Sequence, residues 1–203
     1  MAITYPLTLP PTPGFARCRF TPRATVALSA SPFTGEQQTY RHQGEWWEFD
    51  ASLPPMKRAA AEAWLGALTA LFGRHGTFLF GDPDAKIPLG AFTGPALVNG
   101  AGQSGNALVT DGWSAAITLK AGNYVQLGSG ATTRLYKLLK DAAVDGLGNA
   151  VLDIFPRLRE SPLDNAAIAT TNCQGTFRLS APFEWSADEL SRYGIGFGGI
   201  EAI

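Results

Sequence analysis

The sequence predicts a mainly β protein: a β-sandwich or split barrel with one main α-helix, interrupted by a small inserted β-barrel. Three observations carry that prediction. The 203 residues include 23 glycines and 14 prolines. That is nearly a fifth of the chain against a background of about 12%, and punctuation this dense favours many short strands. A helical period of 3.6 is sustained over a long window only once, near the end of the first third. From about Ile87 the texture changes, and glycine-rich turns recur roughly every ten residues between short apolar runs.

The elements follow in order. TVALSAS and QTYRHQGEWWEFDAS read as strands joined by the turn-rich SPFTGEQ. Glu45, Trp47 and Phe49 fall on one face of the second and Trp46, Glu48 and Asp50 on the other, so aromatics on both faces imply at least partial cover on both. In LPPMKRAAAEAWLGALTALFGRHG, Ala60, Ala63, Trp64, Ala67, Leu68, Leu71 and Phe72 form one helical stripe. Leu65 is the apolar exception on the opposite face. Pro54 and Pro55 suit a first turn, and Gly73 suits a left-handed C-terminal cap. GTFLFGDP is a short strand closed by a turn.

Within the changed texture the strand candidates are Ala107–Thr110, Tyr124–Leu127, Arg134–Leu139 and Ala150–Phe155, separated by KAGN, GSGATT and DGLGN. GTFRLSAP is then a strand, Ser186 and Glu189 form an S-x-x-E capping box for a helical turn ending at Gly194, and IGFGGIEAI is extended. The expected layout is one domain of residues 1–87 with 164–203, interrupted by a second at 88–163.

Charge and cysteines narrow the function. Sixteen Lys and Arg against 17 Asp and Glu give a net charge of −1, without the basic excess that nucleic acid or an anionic membrane surface demands. The start lacks a basic region and is broken by Pro6, Pro10, Pro11 and Pro13, so it does not read as a signal peptide. No apolar run reaches the roughly 18 residues of a membrane span. Cys18 and Cys173 are far apart and outside any metal-ligand spacing, and they fit a reducing compartment.

Catalytic constellations are scarce. His42 lies in a strand pattern and His75 just past a helix end, where the macrodipole favours it without catalysis. No nucleophile or carboxylate pattern accompanies either, and no zinc, cofactor or metal set is expected. Gly100, Gly102 and Gly105 match G-x-G-x-x-G, but a strand follows where a phosphate-binding helix would have to open. Asp82, Asp84, Asp145 and Asn149 read as Asx turns, since the calcium-loop spacing is absent. Trp113, Tyr124 and Tyr136 can stack a sugar or a base, or can fill the core of a small barrel. Gly194, Gly196, Gly198 and Gly199 in the last strand mark close backbone approach or a bulge, and such a terminal segment can pair with a neighbouring subunit's edge.

Three blocks carry a family resemblance. EWWEFDASLPPMKRAAAEAWLGALTALFGRHGTFLFGDP resembles the ring-forming belt domain of distal tail proteins of long-tailed bacteriophages. LKAGNYVQLGSGATTRLYKLLKDAAVDGLGNAVLDIFPRLRESP is similar to a block of phage tail-tip proteins, and FRLSAPFEWSADELSRYGIGFGGIEAI resembles the family's ending. Departures are Asn123, where Asp is usual, and Gly198-Gly199, which would loosen the last strand. The resemblance implies a belt domain with an OB-like inserted barrel. It implies a non-catalytic virion protein that forms a ring, usually a hexamer, between the tail tube and the tail-tip hub. Its partners would be further copies of itself, the tube protein, the hub protein and the tape-measure protein. Closed rings use heterologous contacts between two different patches. The expected patches are Trp46, Trp47 and Phe49 with the helix, and the strand carrying Ile195, Phe197 and Ile200. The alternatives are a carbohydrate-binding module that aids adsorption through Trp113, Tyr124 and Tyr136, a cell-wall hydrolase, and a tube or connector subunit.

Overall fold

Alternating apolar residues build the first sheet. The computed structural model describes residues 3–203; Met1 and Ala2, at the head of the proline-broken start, lie outside them. In chain order the leading elements are β1 (Leu7–Thr8), β2 (Arg17–Ala30), β3 (Gln37–Ser52), β4 (Met56–Lys57), α1 (Arg58–Thr69) and β5 (Phe78–Phe80). Then come β6 (Leu97–Val98), β7 (Ala107–Asp111), β8 (Thr118–Leu119), β9 (Tyr124–Leu127), β10 (Arg134–Leu138), β11 (Ala142–Ala143) and β12 (Ala150–Phe155). The chain closes with β13 (Gly175–Leu179), β14 (Glu184–Ala187) and β15 (Arg192–Glu201). The protein is mainly β with one α-helix, as the sequence predicts.

The first sheet has eight strands with the path β1-β5-β13-β15-β3-β2, and β14 and β4 pair with β15 beside it. It curls into a half-barrel. Phe20 on β2 stacks on Phe80 on β5 at 5.8 Å between ring centroids. Four strand spacings separate those strands along the path, about 19 Å in a flat sheet. Phe49, Phe78, Phe177 and Phe197 fill the concavity, and α1 lies against it through Trp64. Each fully buried ring contributes roughly 1.5–3 kcal/mol, which makes this aromatic cluster the main stabilising mass of the sheet.

The helix meets the sheet with the expected stripe rotated: Trp64, Leu68 and Leu71 are buried as expected, and Ala61 and Leu65 take the places of Ala60 and Ala63, which are exposed. Burying Leu65 removes more apolar area from water than burying either alanine, and that decides the rotation. The Trp64 indole N–H donates to the Thr12 carbonyl at 2.9 Å and pins the choice. After Ala70 the backbone turns left-handed at Phe72 (φ 48°) and Gly73 (φ 65°), which leaves Phe72 67% exposed. Pro54 and Pro55 precede β4 and are not in the first helical turn.

The second sheet runs β6-β7-β12-β10-β9, with β8 and β11 as a separate pair. Its ends are joined by residues 167–169: Ala167 bridges to Leu97 beside β7, and Ala169 bridges to Gln126 on β9. Ile168 is buried in the same core. The barrel therefore takes in chain beyond the expected boundary at 163. The two cores also share a seam, since Tyr124 and Leu135 from the insert are buried in the first core.

The expected helical turn at 186–194 is instead a β-hairpin of β14 and β15. The Asp188 carboxylate accepts from the N–H groups of Leu190 (3.0 Å) and Arg192 (2.7 Å), and Ser191 is left-handed. An Asx turn closed by strand pairing satisfies more backbone groups than one capped helical turn, so the capping box loses. The Gly100–Gly105 string is a loop before β7, and Asp145 accepts from the Leu147 and Asn149 N–H groups as a turn residue.

Candidate functional site

The most distinctive surface is an arm. Beyond the Ala24–Glu45 pair, β2 and β3 leave the sheet and continue as an isolated two-stranded ribbon, paired from Val26↔Arg41 to Ala30↔Gln37. A register shift between Ala24 and Val26 marks where the ribbon departs. It projects roughly 20 Å. At its tip, Ser31 N–H donates to the Glu36 carbonyl at 2.9 Å, and Gly35 takes the left-handed φ that the turn needs.

Apart from half-buried Ser31, every residue from 22 to 43 is exposed. The exposed set includes Val26, Leu28, Tyr40 and Phe33, the last 95% exposed at the tip. Val26 and Leu28 lie on one face; Tyr40 and His42 lie on the other, their rings in edge contact at 4.8 Å. Only Glu36 and Arg41 are charged between residues 24 and 43. A two-stranded ribbon is marginal alone in water, and this one lacks the charges that usually guard an open edge.

The six expected contact residues divide. Trp47, Phe49, Ile195 and Phe197 are core residues between 1% and 5% exposed, so their side chains cannot meet a neighbour. They point into the half-barrel. Trp46 and Ile200 lie half-buried on the outer face, where the Trp46 indole donates to Glu48 at 2.9 Å and Arg23 pairs with the same carboxylate at 2.8 Å. Strand β15 is not an edge: it pairs with β13 along one side and with β3 along the other, so it has no free rim for a neighbour.

The three candidate stacking residues are also interior. Trp113 (4% exposed) donates to the Thr110 hydroxyl at 2.7 Å, and Phe92 packs against it edge-on. Tyr136 is 1% exposed, and its hydroxyl accepts from the Arg159 N–H at 3.4 Å. Tyr124 is buried against Trp47, its hydroxyl reaching Asp82 at 3.3 Å. Burial raises both phenols above their ordinary pKa. None offers an open ring face.

Two buried carboxylates at the seam escaped the sequence reading. Glu45 (2% exposed) accepts from Asn106 at 2.9 Å, from the Arg157 N–H at 2.8 Å and from the Arg41 guanidinium. Burial alone would raise its pKa, but these hydrogen bonds and the Arg41 charge hold it below the ordinary carboxylate value. Glu201 (6% exposed) accepts two bonds from Arg159, at 3.1 and 2.6 Å, and a third from the Trp47 N–H at 3.1 Å. The Trp47 indole spans the seam to the Leu135 carbonyl at 3.1 Å. Each carboxylate belongs to the first sheet and most of its donors to the insert, so the pair sets how barrel and half-barrel meet. The sequence carried one signal for this: Glu45 shares the inward face of Trp47 and Phe49.

Cys18 and Cys173 are free thiols, both pushed up to about 12 by burial. Among the described residues no three His, Cys, Asp or Glu side chains gather as metal ligands would, and no helix is long and apolar enough to cross a membrane. No family model matches the chain, and no curated protein does.

Proposed function

We propose that the chain is a structural subunit of a phage tail tip: a distal tail protein whose copies close into a ring, a hexamer by the resemblance, between the tail tube and the tail-tip hub. The tape-measure protein would meet the same ring, and the assembled protein would reside in the virion. The observation that carries this reading is the arm at residues 24–43, exposed on both faces and tipped by Phe33. A ribbon of this kind gains its cover from another chain, and a head-to-tail series of such contacts closes a ring or grows a filament. The half-barrel with a helix across it and an inserted barrel agrees with the belt and insert that the resemblance implies. The glycan-binding alternative loses its residues, since Trp113, Tyr124 and Tyr136 are buried.

The test is the solution mass of the purified chain with negative-stain images, beside a variant in which residues 27–40 are replaced by an Asn-Gly turn, which joins the Val26↔Arg41 pair and keeps Arg41 on Glu45. The expected result is a ring with a central hole for the wild type and a folded monomer for the variant. A wild-type chain that stays monomeric at its highest soluble concentration overturns the ring.

A further inference from the structure

A head-to-tail contact needs a receiving surface as well as an arm, and the first sheet carries one at its other edge. Around β1 and β5 lies a recess of about 340 Å³ whose lining includes Leu9, Pro10, Phe15 and Trp64 with Asp82 and Lys86. The arm extends β2 and β3, at the opposite end of the strand path. Two different patches on one subunit allow a heterologous contact, where a single patch would pair copies isologously.

Resting on the ring reading above, we propose that Phe33 of one copy seats in this recess of the next. Size permits it, because an apolar cavity of roughly 150 Å³ already takes up a benzene ring. A phenyl 95% exposed at a loop tip gains by burial, and the aromatic wall at Phe15 offers edge-to-face contact. Charge agrees as well. Glu36, in the same tip turn as Phe33, and Lys86 at the recess are both exposed, and neither is in an ion pair among the described residues. Asp82, the acidic group of the lining, is already engaged by the Asp84 N–H and the Tyr124 hydroxyl. Docking thus sets a knob in a hole and an anion beside a cation, between second copies of this chain.

Two variants separate the partners. Phe33→Ser removes the knob and leaves the recess open. Gly14→Leu fills the recess and leaves the knob; a Cβ at Gly14 meets nothing within 4 Å, so the fold tolerates it. By analytical ultracentrifugation of the full chain, each variant alone is expected to lose the ring. A mixture of the two is expected to stop at a heterodimer, since only one knob and one recess remain intact. Rings formed by either variant as by wild type overturn the docking and leave the ring reading standing. A monomeric wild type overturns both. Should either variant melt early, the exposed charge reversal Lys86→Glu gives the same reading: loss of the ring, with recovery when combined with Glu36→Lys. Failure of that recovery overturns the docking.

Discussion

Phe49 and Gly199 are cross-strand partners on β3 and β15, and the Phe49 ring occupies the space that a side chain at 199 would need. A Cβ at Gly199 would lie 2.3 Å from the ring. The glycine therefore does not loosen the last strand, as the sequence led one to expect. It lets the ring lie on the backbone and stack on Phe80 at 3.9 Å.

Gly199→Ala is accordingly expected to destabilise the protein by about 1–3 kcal/mol, the cost of overpacking a filled core. The expected signature is a lower melting temperature that Phe49→Leu, added in the same chain, partly restores. Additive losses in the double variant would show that the ring and the glycine do not compete for the same space.

The Arg159–Glu201 pair predicts an asymmetric response. Arg159→Met leaves a buried carboxylate without its cation and is expected to cost about 3–5 kcal/mol. Arg159→Met with Glu201→Gln removes that charge while keeping an acceptor for the Trp47 N–H, and is expected to recover part of the loss. Urea midpoints of the four chains in the cycle give the coupling, and a coupling near zero would mean that the pair is dispensable to the seam.

Glu45 predicts a pH dependence. Its folded pKa lies below the ordinary value, so the stability it contributes is complete above the unfolded pKa of about 4.3 and is lost as the pH falls through the folded one. Glu45→Gln is expected to be less stable than wild type at pH 7, with the gap closing on acidification below about pH 4. A gap that stays constant between neutral and acid pH would remove Glu45 from the acid response.

Trp113→Ala tests whether that ring is core or contact surface. Truncating a buried Trp is expected to cost about 3–5 kcal/mol, and the loss of near-ultraviolet circular dichroism from the insert should accompany it. A variant that melts like wild type but loses binding on a glycan array would reinstate the aromatic platform.

Local pattern alone determined much of this protein. Short apolar runs between glycine-rich turns gave Tyr124–Leu127 and Ala150–Phe155 at their observed limits, and alternation grouped Glu45, Trp47 and Phe49 on one face of their strand, although the direction of that face was not readable, since Trp47 and Phe49 were expected at a subunit contact. These signals are local, because alternation and turn chemistry act over a few residues. Tertiary structure decided the rest. Val26 and Leu28 alternate as core residues do, yet they are exposed because the sheet ends at Glu45 and nothing lies beneath them. The S-x-x-E signal at Ser186 yielded to pairing with β15, and Ala60 yielded its place in the stripe to Leu65. Glu201 is buried because Arg159, 42 residues earlier in the chain, reaches it at the seam. In each case the outcome depends on which distant surface covers a residue, and that is a property of the packed sheets that no window of sequence contains.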